Sequence, residues 1–165
     1  MDVRPLGGGS LAPMTYVSAE ARQELLDTIA DAIDELGVAL AALGEAYEQL
    51  DERTADTLEE RLFRPVQTAY GRAQRTYGGF AQRFGLRART FEPAARGLPS
   101  TGVKGFVAAA VDAVAQADSD LAELQDSMMP VEVGDAELRA GLADVRELLA
   151  DVRARAGGLL RTFGR

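Results

Sequence analysis

The residues of this chain with the most chemical capacity are arginines. Arg61, Arg64, Arg72, Arg75 and Arg83 recur at spacings that a helix turns to one side. At 100° per residue from Arg61, all five fall within an arc from about −60° to +40°, and the apolar residues among them fall between about 60° and 200°. One face of such a helix is guanidinium and the other is core. Guanidinium groups recognise carboxylates and phosphates through forked hydrogen bonds. The stripe therefore predicts contact with acids, from this chain or from a partner protein. Arg61 and Arg64 are the expected intramolecular members, facing Glu48 or Glu52, and Arg72, Arg75 and Arg83 are expected to meet a second protein. Arg87, Arg89 and Arg96 carry the basic run into a connection. Ser100, Thr101 and Lys104 follow at the start of a helix, where free backbone N–H groups would form an anion seat.

Three short motifs touch the same region or its neighbours. LPSTG (98–102) has the form of a sortase sorting signal, but two amphipathic, acidic segments follow it where a membrane segment and a basic tail would be required. GLPSTGVKG approaches a phosphate-binding loop. Val103, however, separates Gly102 from Lys104, no Ser or Thr follows the lysine, and no strand precedes it. Tyr47-x-x-x-Asp51 matches a type VII secretion signature, yet Tyr47 falls in an apolar seam and no Trp-x-Gly turn exists.

Other chemistry is excluded by composition. The chain has no His and no Cys, so it has no thiolate nucleophile, Ser-His pair, imidazole ligand, zinc-thiolate site or disulfide. The acids of the first helix, at 27, 31, 34, 35, 45, 48 and 52, avoid its apolar seam, so a carboxylate metal site inside the bundle is not expected. No metal and no cofactor is anticipated. Net charge is −8, which opposes nucleic acid and anionic membrane surfaces at long range. The charge is unevenly placed: residues 1–52 carry 2 basic and 11 acidic groups, residues 53–104 carry 10 and 4, and residues 105–165 carry 6 and 11. No signal-peptide stretch or long apolar span is visible, so a cytoplasmic protein is expected.

The elements that position these groups are helices. Leu26, Ile29, Ile33, Leu36, Leu40, Leu43, Tyr47 and Leu50 alternate spacings of three and four, a heptad repeat that favours near-antiparallel packing. Leu58, Leu62, Val66, Ala69, Tyr70, Ala73, Tyr77, Phe80 and Phe84 form the apolar face behind the arginine stripe, interrupted by a kink at Pro65. Val103, Val107, Ala110, Val114, Ala117, Leu121, Leu124 and Met128 form a third seam, and Leu138, Leu142, Val145, Leu149, Val152, Ala156, Leu159 and Phe163 a fourth. The expected fold is all-α: an antiparallel four-helix bundle with heptad-type packing. Its helices are placed at about 18–52, 55–84, 103–128 and 135–163, capped by Ser18, Thr54 and Asp135 at the first, second and fourth, after a flexible tail over 1–17. The 18-residue connection 85–102 leaves open whether the chain crosses over between its two hairpins, and is expected to be the most mobile internal segment.

No convergent acid-base constellation is visible. The sequence reads as a non-enzymatic interaction or structural protein, a homo-oligomer or a binder of another protein. Val38, Ala41 and Ala42, uncharged on the side away from the seam, mark the expected association patch. The alternative is a carrier or sensor holding a small apolar or anionic ligand between its helices.

Overall fold

A computed structural model describes residues 4–94 and 102–163, and the described residues are mainly helical with no strand. The helices are α1 (Arg4–Glu48), α2 (Glu52–Leu58), α3 (Arg64–Phe84), α4 (Gly102–Asp126), the single turn α5 (Met129–Glu132) and α6 (Ala136–Phe163). A π-helical stretch, Glu59–Phe63, joins α2 to α3 without a break. Among the described residues no helix is long and apolar enough to cross a membrane.

Several boundaries differ from expectation. α1 continues back through the expected tail and past Ser18 to Arg4. Pro5 stands in its first turn, where a missing N–H has no intrahelical acceptor to leave empty. α1 ends at Glu48, and Asp51, not Thr54, caps the next helix by accepting the Thr54 N–H at 2.9 Å. That bond, with a second from the Thr54 side chain, holds its carboxyl below the ordinary range. Pro65 does not break the second helix. It enters the first turn of α3, and the Arg64 N–H just before it reaches back five residues to the Glu59 carbonyl. The widened π turn takes up the missing bond and the ring's bulk. α3 then runs through Gly78 and Gly79 to Gly85, whose φ of 63° ends it. Leu86 donates to the Ala81 carbonyl at 2.9 Å, closing the turn, and tucks its side chain against the core.

The seams are the core. Leu26 to Leu43 on α1, Leu58 to Phe80, Val107 to Leu124 on α4, and Leu138 to Leu159 on α6 are buried. Each large apolar side chain so buried contributes about 1.5–3 kcal/mol against exposure. The seams fray at their ends: Met128 and Tyr47 are exposed, and Leu50 is only partly covered.

Contacts give the packing order. Arg22 of α1 lies over the Phe84 ring at 4.3 Å, and Gly37 sits beside Tyr70, so α1 and α3 run in opposite directions. Arg83 meets Asp135 and Glu137, and Arg72 meets Asp144, which makes α3 and α6 antiparallel. Asp118 meets Arg146 and Arg153, and Gln125 meets Arg146, which does the same for α4 and α6. α1 packs on α4 as well as on α3. The four long helices therefore follow the order α1, α3, α6, α4 around the core. The middle connection is a crossover. Arg87 is clasped by Gln23, Arg89 by Asp34, and Glu92 and Pro93 lie against Gly37, so residues 86–94 climb back along α1.

Candidate functional site

The arginine stripe finds most of its acids inside the molecule, on a helix other than the expected one. Arg72 Nη2 donates to Asp144 Oδ2 at 2.8 Å. Arg83 forks onto Asp135 through Nε at 2.6 Å and Nη2 at 2.9 Å, and reaches Glu137 through Nη1 at 2.7 Å. All three acids lie at or on α6, because α6 packs antiparallel beside α3 on the flank that the stripe borders. Arg64 pairs with Glu59, five residues back across the π turn, not with Glu48 or Glu52. Arg61 and Arg75 are exposed and make no ion pair among the described residues. Asp135 serves twice. It caps α6 by accepting the Leu138 N–H at 2.8 Å, and its carboxyl is held below the usual range first by the Arg83 hydrogen bond. The same bond raises the Arg83 guanidinium.

The connection carries its two described arginines as structural groups. Gln23 clasps Arg87 at both backbone atoms, donating to its carbonyl at 3.1 Å and accepting its N–H at 3.0 Å. The Arg89 N–H donates to the Tyr77 hydroxyl at 3.0 Å, and the Arg89 guanidinium pairs with Asp34 and covers the Phe91 ring at 4.4 Å. Phe91 in turn meets Tyr77 edge-on at 5.0 Å. Residues 86–94 are thus a strap with Leu86 and Phe91 as apolar anchors, and residues 95–101 of the expected mobile connection lie outside the described residues. Beneath the strap Tyr70 Oη is buried and has no hydrogen-bond partner. Burial, then the charges of Asp34 and Glu92, pushes its hydroxyl pKa up. Of the expected anion seat, Arg96, Ser100 and Thr101 lie outside the described residues. Lys104 is exposed in the first turn of α4.

The expected apolar patch is not a free surface. Ala42 is fully buried in the core, and Val38 and Ala41 are half-buried. α1 is covered by α3, α4 and the strap, so Ala42 faces this chain's own core while Val38 and Ala41 keep part of their surface open. Gly37 fits that explanation, since a Cβ there would lie 3.5 Å from Pro93.

The acids are concentrated on the opposite layer. Residues 18–48 of α1 hold eight carboxylates and one arginine, and α4 holds five carboxylates and one lysine. Across from them α3 holds four arginines and no acid. Between α1 and α4 runs a groove of about 370 Å³ bordered by Glu24, Thr28, Asp31, Asp120, Glu123 and Ser127. Burial and the charges of Asp34 and Asp120 raise the Asp31 carboxyl above its ordinary 3.8, against a smaller opposing pull from Arg89. Glu35 is raised above 4.5 by burial and then by Asp120, Asp34 and Asp31. Loss of solvation comes first, and like charges on α1 itself and across from it on α4 add to it.

One charged cluster was not anticipated. Asp118 is buried on α4, accepting from Arg146 Nε at 2.9 Å and Arg153 Nη1 at 3.1 Å, while Arg146 Nη1 also donates to Gln125 at 2.9 Å. Arg146 and Arg153 stand seven apart, each one step past a seam valine, and that spacing was the available signal. The two guanidinium groups offset the burial of the carboxylate, whose isolation would cost several kcal/mol, of order 3–5. Among the described residues no group of three or more acids is placed to hold a metal ion. Comparison with protein-family models, curated proteins and solved structures finds no match.

Proposed function

We propose that this chain is a non-enzymatic interaction protein whose α1/α4 face docks a cationic protein partner. The supporting observation is the segregation of charge across the bundle. Apart from the buried Asp118, most acids of α1 and α4 lie at the surface with few cations among them, whereas Arg72 and Arg83 of α3 are committed to α6 and its cap. A basic surface laid on this face would offset the repulsion that adds to burial in raising Asp31 and Glu35. Charge complementarity of that kind speeds encounter and selects partners more than it adds affinity. The absence of His and Cys leaves little acid-base or nucleophilic chemistry for an alternative role. Association through residues 36–44, the other route to an interaction protein, has less support, since Ala42 is buried and Val38 and Ala41 are half-buried.

The test is a titration of the protein with a fluorescent oligolysine peptide at several salt concentrations. Binding should weaken steeply with salt, since exposed charges are screened over about 10 Å at 0.1 M. Substituting Asp31→Asn, Glu35→Gln, Asp120→Asn and Glu123→Gln together should abolish the salt-dependent part while thermal stability holds or rises. Unchanged binding by that variant would overturn the proposal. Native mass spectrometry of the same sample reports whether the protein is instead a homo-oligomer.

A further inference from the structure

At the end of the bundle where α1 turns into α2, a groove of about 310 Å³ lies between α1 and the π turn. It is lined by Gly44, Tyr47, Glu48, Glu59 and Phe63. Phe63 is partly buried against the core, but core packing does not account for Tyr47 or Gly44. Tyr47 continues the apolar seam of α1, yet it is 37% exposed. Gly44 stands inside a long helix, where glycine is the least favourable residue short of proline. A Cβ at Gly44 would meet nothing within 4 Å, so no neighbouring backbone requires its absence. Gly37 differs, since the strap lies against it. The missing side chain at Gly44 leaves floor space in the groove. The π turn that accommodates Pro65 brings Glu59 and Phe63 to the other wall.

The lining chemistry selects a class of ligand. Two aromatic rings present negative faces, which attract a diffuse positive charge. Two carboxylates supply the counter-charge. Arg64 takes one oxygen of Glu59 at 3.2 Å, and Glu48 makes no ion pair among the described residues. An anion would be repelled, and a neutral apolar molecule would gain nothing from the carboxylates. The volume is at the lower end of the range of ligand pockets, about 300–1,000 Å³, and fits a compact head group. We propose that this groove binds a small alkylammonium cation, held by Tyr47 and Phe63 with Glu48 and Glu59 as counter-ions. The site is separate from the acidic α1/α4 face and does not depend on it.

The same head group exists free or as a methylated lysine side chain, so the experiment carries both arms. Choline and a short trimethyl-lysine peptide are titrated into the full chain and followed by backbone amide shifts. 3,3-Dimethyl-1-butanol serves as choline's neutral isostere. At least one cation should shift residues 44–48 and 59–63, with the isostere about 5-fold weaker or worse, and the tighter cation names the source. Glu48→Gln and Tyr47→Ala should each weaken binding about 3- to 10-fold. Gly44→Leu should fill the groove and remove binding, with helical circular dichroism unchanged. Asp120→Asn, on the other face, should leave it intact. The proposal is overturned if neither cation binds, if the isostere binds as well as choline, or if Glu48→Gln and Tyr47→Ala, which are surface changes, leave affinity unaltered.

Discussion

Replacing Gly141 with alanine probes the closest approach of α6 to α3. A Cβ at Gly141 would meet Thr76 Cγ2 at 2.6 Å and Thr76 Cβ at 3.0 Å, and would press closer still on Thr76 Oγ1. Thr76 is buried, and its hydroxyl donates to the Arg72 carbonyl at 2.9 Å, so the β-branched side chain cannot rotate aside without losing that bond. The helices must separate instead. With two Thr76 atoms inside 3.0 Å, the overpacking cost lies in the upper part of the usual range, about 2–3 kcal/mol. The better helix propensity of alanine returns about 1 kcal/mol. Net destabilisation of about 1–2 kcal/mol should lower the thermal midpoint by about 2–8 °C in a domain of this size. Urea denaturation followed by circular dichroism measures it. Thr76→Ala removes Oγ1 and Cγ2 and leaves the 3.0 Å contact, which a shift of a few tenths of an ångström relieves. In that background Gly141→Ala should be close to neutral, with a coupling of about 1–2 kcal/mol. Gly44→Ala is the control: nothing lies within 4 Å, so it should stabilise by about 1 kcal/mol. Additive effects of the Gly141 and Thr76 changes, or a stabilising Gly141→Ala in the unmodified protein, would refute the close helix contact.

Tyr70→Phe deletes a buried hydroxyl with no partner, and should leave urea stability unchanged or raise it by about 1 kcal/mol; a clear loss would mean the hydroxyl is satisfied. Tyr77→Phe removes the acceptor of the Arg89 amide, so hydrogen exchange at Arg89 should accelerate while amides inside α3 keep their protection. Stability should rise as pH falls from neutral through the raised values of Asp31 and Glu35 towards 3.8 and 4.5, because their folded forms take up protons more readily than the unfolded chain. Below 3.8 it should fall, as Asp135 and Asp51, held low by Arg83 and by backbone N–H groups, lose the charge that those bonds favour. Urea midpoints across pH test this, and Asp31→Asn with Glu35→Gln should flatten the rise.

The inner face of every long helix, the proline in mid-helix, the cap at Asp135 and the loss of His and Cys chemistry were legible in the amino-acid sequence. Each is set by residue type and by a local period of 3.6 residues. Local period does not say which helix covers which face. Arg72 and Arg83 are 72 and 52 residues from the carboxylates they meet, and only the antiparallel docking of α6 on α3 brings those groups together. Asp118 reads as one more surface acid until α6 delivers Arg146 and Arg153 to it. The same holds for the glycines. Gly37, Gly44 and Gly141 are identical in sequence terms, yet one lies under a strap, one opens a groove and one admits a threonine from a neighbouring helix. The 18-residue connection permitted either topology. The Gln23 clasp on Arg87 and the Asp34 pair with Arg89 hold residues 86–94 along α1, and the packing of Leu86 and Phe91 against the core rewards that crossing path.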